Sequence, residues 1–117
     1  MDKNVLKLTK SRLLSQKMVP ASPGCIGEDG QPLLCLGAAF VAAHLELTEG
    51  AESADAFARA IVKQDSSAGI VKTARRSGFP EMVCRMAIAM NDNYANSKRR
   101  EGVLSFLRQF EWNLAAA

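Results

Sequence analysis

Apolar residues recur every three or four positions along most of this chain, a spacing that predicts amphipathic helices. The pattern is clearest near the C-terminus, where Val103, Leu107, Phe110 and Leu114 fall on one side of a helix that Asn96 or Ser97 would cap. Similar spacing predicts helices over residues 4–18, 33–45, 53–63, 65–77 and 80–90. We therefore expect an all-α fold, a compact single-domain bundle of five or six helices.

The helix predicted over residues 33–45 is apolar on all sides, which is typical of a helix buried at the centre of a bundle. Its small residues, among them Gly37 and Ala38, would let neighbouring helices approach closely. In the helix predicted over residues 80–90 we expect a buried stripe formed by Val83, Met86, Ala87 and Met90.

Residues 19–32 are rich in proline and glycine and are predicted to form a long loop, and no segment of the chain is typical of a β-strand. The helical domain is expected to span residues 1–114. Residues 115–117, three alanines, are compatible with a fraying helix end or with a remnant of a cloning vector.

Composition narrows the class of protein. The 117 residues suffice for one domain, and no apolar run reaches the roughly 18 residues of a membrane span. No secretory signal is recognisable at the N-terminus, so we expect a cytoplasmic protein. Its three cysteines, at positions 25, 35 and 84, show no paired spacing and are expected to be reduced thiols.

Charge is distributed unevenly along the chain. Residues 1–20 and residues 67–117 each carry a net charge of +4, whereas residues 21–66 carry −5. Two basic clusters lie in the last segment, around Arg75 and Arg76 and at Lys98, Arg99 and Arg100. They could be solvated surface, or they could bind an acidic protein surface or a nucleic acid.

Candidate chemistry is sparse. Cys35 lies at a predicted helix start, where the dipole favours a thiolate, but His44 would lie on the opposite side of the same helix. Asn91 and Asp92 could bind a ligand or act as polar catalytic groups, although a helix-ending turn explains both more simply. The scattered cysteines lack the spacing of a zinc site. Enzymatic activity is therefore disfavoured, and no cofactor or metal site is predicted.

Two short motifs carry a family resemblance: Cys35-Leu36-Gly37-Ala38 at the start of the central helix, and Asn91-Asp92 ahead of the last helix, which contains Val103-Leu104-x-x-Leu107. In this order they resemble a family of small bacterial and bacteriophage proteins of unknown function. That family has an aromatic residue before Asn-Asp, where this chain has Met90. The resemblance implies a helical fold and a bacterial or phage setting, and it implies no activity.

These observations favour a non-enzymatic protein that binds another macromolecule, such as a phage-type or bacterial accessory or inhibitory factor. An acidic protein surface is the expected partner, with a nucleic-acid-binding regulator as the alternative. A third hypothesis is a small-molecule-binding or hydrolytic domain built around Cys35, Asn91 and Asp92. The candidate partner-binding residues are Arg75, Arg76, Lys98, Arg99, Arg100 and Trp112; Trp112 could equally pack against the first helix.

Overall fold

Helices make up most of the structure, a computed structural model that describes the backbone of residues 2–116 and the side chains of residues 2–113. Within these residues six helices and one short hairpin follow one another along the chain. The elements are α1 (Lys3–Ser15), β1 (Gly24–Ile26), β2 (Pro32–Leu34), α2 (Leu36–Glu49), α3 (Ala51–Gln64), α4 (Ala68–Ser77), α5 (Glu81–Asp92) and α6 (Asn96–Ala116). The all-α prediction is confirmed.

The central position of α2 follows from its composition. Most of its side chains are buried, and α1, α3, α4 and α5 all pack against it. At Gly37 an added Cβ would come within 2.7 Å of the Ile88 side chain, so the missing side chain is what allows α5 to lie this close. The radius of gyration, 12.8 Å, is close to the value of about 13 Å expected for one globule of this length.

The prediction that residues 19–32 form a loop without strands is wrong in part. β1 and β2 pair antiparallel, with Cys25 opposite Leu33, and the Gly27 N–H donates to the Gln31 carbonyl across the turn at 2.8 Å. The turn contains Gly30, whose φ of 80° suits glycine. The short hairpin packs against α3 and leads directly into α2.

Several helix boundaries differ from the predicted ones. β2 occupies the first two residues of the segment predicted as the central helix, so α2 begins at Leu36 and continues to Glu49. Gly50, with a φ of 105°, separates α2 from α3 and is the N-cap of α3. Ser53, the first residue of the helix predicted over residues 53–63, lies inside α3, where its hydroxyl donates to the Glu49 carboxylate at 3.0 Å.

The predicted buried stripe of α5 is also wrong in part. The helix buries Cys84, Ala87 and Asn91, while Val83 and Met90 are half-buried. Met86 is 40% exposed, and Met82, one turn earlier, is 83% exposed. The core-facing side of α5 is therefore rotated by about one residue from the predicted one, and two methionines lie on the outer side.

The last helix follows its predicted pattern where side chains are described. Val103 and Leu107 are buried and Phe110 is half-buried against Phe40, whereas the Leu114 side chain lies outside the described residues. The helix continues through residues 115 and 116, and Ala117 lies outside the described residues.

Among the described residues, we find no helix with both the length and the apolar character needed to cross a membrane.

Candidate functional site

Asn91 lies at the junction of α2, α5 and the segment after α1, and its side chain is fully buried. The amide oxygen accepts from the Leu36 N–H at 3.0 Å, which satisfies a free donor at the start of α2. The amide nitrogen donates to the Pro20 carbonyl at 2.9 Å and to Asp92 Oδ1 at 3.1 Å. One side chain thus holds three separate parts of the chain together.

Asp92 extends the same junction toward the surface. Its Oδ1 atom also accepts from the Ser22 N–H at 2.9 Å, so this carboxylate holds the segment before β1 in place. The Asn91-Asp92 pair therefore acts on residues 20–22, about 70 positions earlier in the sequence.

Cys35 lies beside this junction and is the N-cap of α2. Its Sγ atom accepts from the Ala38 N–H at 3.3 Å, and the residue is fully buried. Burial raises the pKa of the Cys35 thiol. A neutral buried thiol is a poor nucleophile. The only histidine, His44, is half-buried, and its Nε2 atom lies 2.9 Å from the Ser77 carbonyl at the end of α4.

Arg99 is 5% exposed and does not lie on the surface, contrary to the prediction that it binds a partner. Its guanidinium donates to the Asn91 carbonyl at 2.9 Å, the Tyr94 carbonyl at 3.0 Å and Asn96 Oδ1 at 2.8 Å. A longer bond of 3.4 Å reaches the Val19 carbonyl. The cation therefore lies at the C-terminal end of α5, where the helix dipole favours positive charge.

Arg100 has a similar role at the end of α1. It is half-buried and donates to the Gln16 carbonyl at 3.0 Å and to the Leu14 carbonyl at 3.1 Å. The Gln16 side chain in turn donates to the Leu34 carbonyl at 3.1 Å and accepts from the Leu34 N–H at 3.0 Å. These are the bonds that a neighbouring strand would make with β2.

Together these side chains form a network that we call the polar centre: Gln16, Asn91, Asp92, Arg99 and Arg100. Sequence reasoning did not identify Gln16 as part of it. The charge of Arg99 and Arg100 lies at the N-terminus of α6, against the dipole of that helix, because the carbonyls of two other helix ends converge there. The geometry supports a role in holding the fold together.

The third hypothesis, a ligand site joining Cys35 to Asn91 and Asp92, needs a cavity between these residues. Cys35 and Asn91 are fully buried, and the two surface grooves described next are lined by other residues. One groove lies between α3 and α4, and the other lies between residues 15–18 and the hairpin. Among the described residues, no group of three or more His, Cys, Asp or Glu side chains converges as a metal site would.

The remaining candidate residues lie on the surface at separate places. Arg75 and Arg76 are exposed at the end of α4, Lys98 is exposed near the start of α6, and Trp112 is 71% exposed on α6. Arg75 contacts Glu81 at the start of α5, whereas Arg99 donates to the Asn91 carbonyl at the C-terminal end of this helix. The two basic clusters therefore lie at opposite ends of α5, which has 12 residues and is about 18 Å long.

Comparison of the chain with family models, with curated proteins and with solved structures finds no match. The resemblance to small bacterial and phage proteins stays a prediction.

The first prediction concerns Asn91. Replacing Asn91 with Ala leaves the Leu36 N–H and the Pro20 carbonyl buried without partners, and each such group costs about 1–3 kcal/mol. We expect the free energy of unfolding, measured in urea, to fall by about 2–6 kcal/mol. The matched control is Asn93→Ala, since Asn93 is exposed and should change stability by no more than about 0.5 kcal/mol. An equal, small effect of both variants would contradict the structural role of Asn91.

The second prediction separates two adjacent basic residues. Arg99→Ala removes a buried cation and its four bonds, so we expect a loss of about 3 kcal/mol or more in the free energy of unfolding. Lys98→Ala, one position earlier on the surface, should stay within about 0.5 kcal/mol of the wild type. Thermal and urea unfolding would measure both. A stable Arg99→Ala protein would show that this arginine is not part of the framework.

The third prediction concerns the buried thiols. Burial, with a smaller contribution from the nearby Cys35, raises the pKa of Cys84 from 9.0 to about 11. As the pH rises, the unfolded chain loses this proton before the folded protein does. The contribution of the Cys84 thiol to the free energy of unfolding should therefore be fully present below pH 9 and should fall as the pH rises to 11. The slope is at most about 1.4 kcal/mol per pH unit for this thiol. Cys84→Ala should remove that part of the slope, as measured by urea unfolding between pH 8 and pH 11. Identical slopes in the two proteins would contradict the shift.

Proposed function

We propose that this protein works by binding an acidic surface of another protein through α4 and the first half of α5. The observation that supports the proposal is the excess of exposed positive charge there. The basic side chains are Lys72, Arg75, Arg76 and Arg85, which we call the α4–α5 basic surface, and all four are exposed. Glu81 is the only acidic residue between positions 68 and 90.

Glu81 is shared by two of these arginines. Its Oε1 atom accepts from Arg75 and, at 3.3 Å, from Arg85, and the Arg75 guanidinium holds the pKa of this carboxyl below its usual value. One carboxylate between two guanidiniums leaves positive charge in excess and several N–H donors free for a partner. Among the described side chains, Lys72 and Arg76 have no salt-bridge partner.

A protein partner fits this surface better than a nucleic acid does. A nucleic acid is bound by a continuous track of cations along its backbone, and the basic clusters of this chain lie at opposite ends of α5. Arg99 and Arg100 are engaged with carbonyls of the chain itself. Tyr94 is half-buried against Gly102, which leaves its ring a poor platform for base stacking.

The three residues that sequence analysis considered for a ligand or catalytic site have structural contacts instead. Cys35 and Asn91 are buried in contacts that hold α2 in place, and Asp92 holds the segment before β1. We therefore propose an accessory or inhibitory factor, which acts by occupying a partner's surface. The bacterial or phage setting implied by the family resemblance is part of this proposal.

The test is capture of proteins from a bacterial lysate with the tagged full chain, with and without nuclease. We expect Lys72→Glu combined with Arg76→Glu to reduce a nuclease-resistant protein partner by about tenfold or more, because like charges would then face each other. The matched control is Lys3→Glu combined with Lys7→Glu, which changes the net charge equally on the exposed side of α1 and should keep the partner bound.

Equal capture by the two double variants would contradict the proposal. Loss of every captured protein on nuclease treatment would favour the nucleic-acid alternative instead.

A further inference from the structure

The outer side of α5 carries an apolar stripe that no described residue covers. Met82 is 83% exposed and Met86, one turn later, is 40% exposed. Ala89 lies on the same side of α5, because positions i, i+4 and i+7 share one side of a helix. It is also exposed. We call these three residues the methionine stripe; it is about 10 Å long.

Met82 and Met86 do not contribute to the contacts of α5 with the core. α5 packs against α2 and α4 through Cys84, Ala87 and Asn91, on the opposite side of the helix. Methionine side chains are flexible and polarizable, and they are common on surfaces that bind apolar partners. Ala89 at the end of the stripe leaves room for a second backbone to approach.

The charged groups beside the stripe carry a net positive charge, because two guanidiniums flank one carboxylate. Arg85 lies next to Met82 and Met86 on the exposed side, and Arg75 reaches the same place from α4, where both contact Glu81. Since Glu81 is shared by two guanidiniums, this edge keeps a net positive charge. On the other edge of the stripe, Val83 and Met90 are apolar and half-buried.

We propose that the methionine stripe binds an amphipathic α-helix of the partner, with the partner's acidic residues on the edge that faces α4. A helix fits because the stripe is straight, narrow and about two turns long, which matches the apolar side of a second helix. The acidic edge follows from charge complementarity with Arg75 and Arg85. This inference rests on the proposed function and specifies the kind of partner segment that the protein takes.

The test uses designed peptides and methyl NMR of the full chain. The probe is a short helical peptide with leucines at helical spacing and glutamates along one edge, and its counterpart carries lysines in place of the glutamates. The protein is labelled at its five methionine methyl groups. We expect the acidic peptide to shift the Met82 and Met86 signals and to leave Met18, on the segment after α1, unchanged.

Variants then separate the apolar contact from the charge. Met82→Gln combined with Met86→Gln should weaken the acidic peptide by about tenfold or more, since two exposed side chains lose apolar burial in the complex. The matched control is Met18→Gln, because Met18 is 45% exposed and lies outside the stripe. It should bind as the wild type does. Both variants change surface residues, and their folding can be checked by thermal unfolding.

Three results would overturn the inference: equal binding of the acidic peptide by the Met82/Met86 variant and the wild type, equal binding of the lysine peptide, or no binding of the acidic peptide. In each case the acidic-surface proposal survives if Lys72→Glu with Arg76→Glu still abolishes lysate capture. If the charge reversal does not change that capture while the methionine stripe binds the acidic peptide, the proposed function is wrong and the helix-binding role of the stripe still holds.

Discussion

The fold depends on the buried amide of Asn91. The start of α2 has free N–H groups, and the segment after α1 presents carbonyls that face the interior, so both would be unsatisfied in an apolar core. Asn91 has one acceptor and one NH₂ group, and it satisfies Leu36 and Pro20 together. An apolar residue of similar size would fill the space and leave both backbone groups without partners. The bond between Asn91 and Leu36 fixes how far α5 is shifted along α2, and it therefore places Ile88 against Gly37.

The arginines complete what Asn91 begins. The ends of α1 and α5 meet near the start of α6, and their carbonyls make a region of negative potential inside the bundle. Arg99 and Arg100 place two cations there, bonded to carbonyls of residues 14–19 and 91–94. A cluster of positive charge in a sequence can therefore belong to the framework, as Arg99 and Arg100 do.

Much of the fold follows from periodicity, because helix-forming patterns are local. The buried side of α6 could be predicted from the spacing of Val103 and Leu107. The central position of α2 could be predicted from the small residues after Cys35. The hairpin could not, since its strands have three residues each and contain glycine and proline, although Asp29-Gly30 is a known hairpin signal. The rotation of α5 could not be predicted, because Met86 and Ala87 are both apolar and the pattern predicts both as buried. Only the packing on α2 shows that Ala87 is buried and Met86 is exposed. The burial of Arg99 depends on helix ends that are distant in sequence, which no local pattern contains.

We expect the polar centre to hold residues 16–36 to the helical bundle as firmly as the core itself. Amide hydrogen exchange of the native protein measures this, because the Leu34 and Leu36 N–H groups are bonded to the side chains of Gln16 and Asn91. We predict that both amides exchange only through global unfolding, with the same free energy as the amides in the middle of α2. Exchange of these two amides at a much lower free energy, while the amides in the middle of α2 stay protected, would show that this region opens on its own and that the polar centre does not hold it.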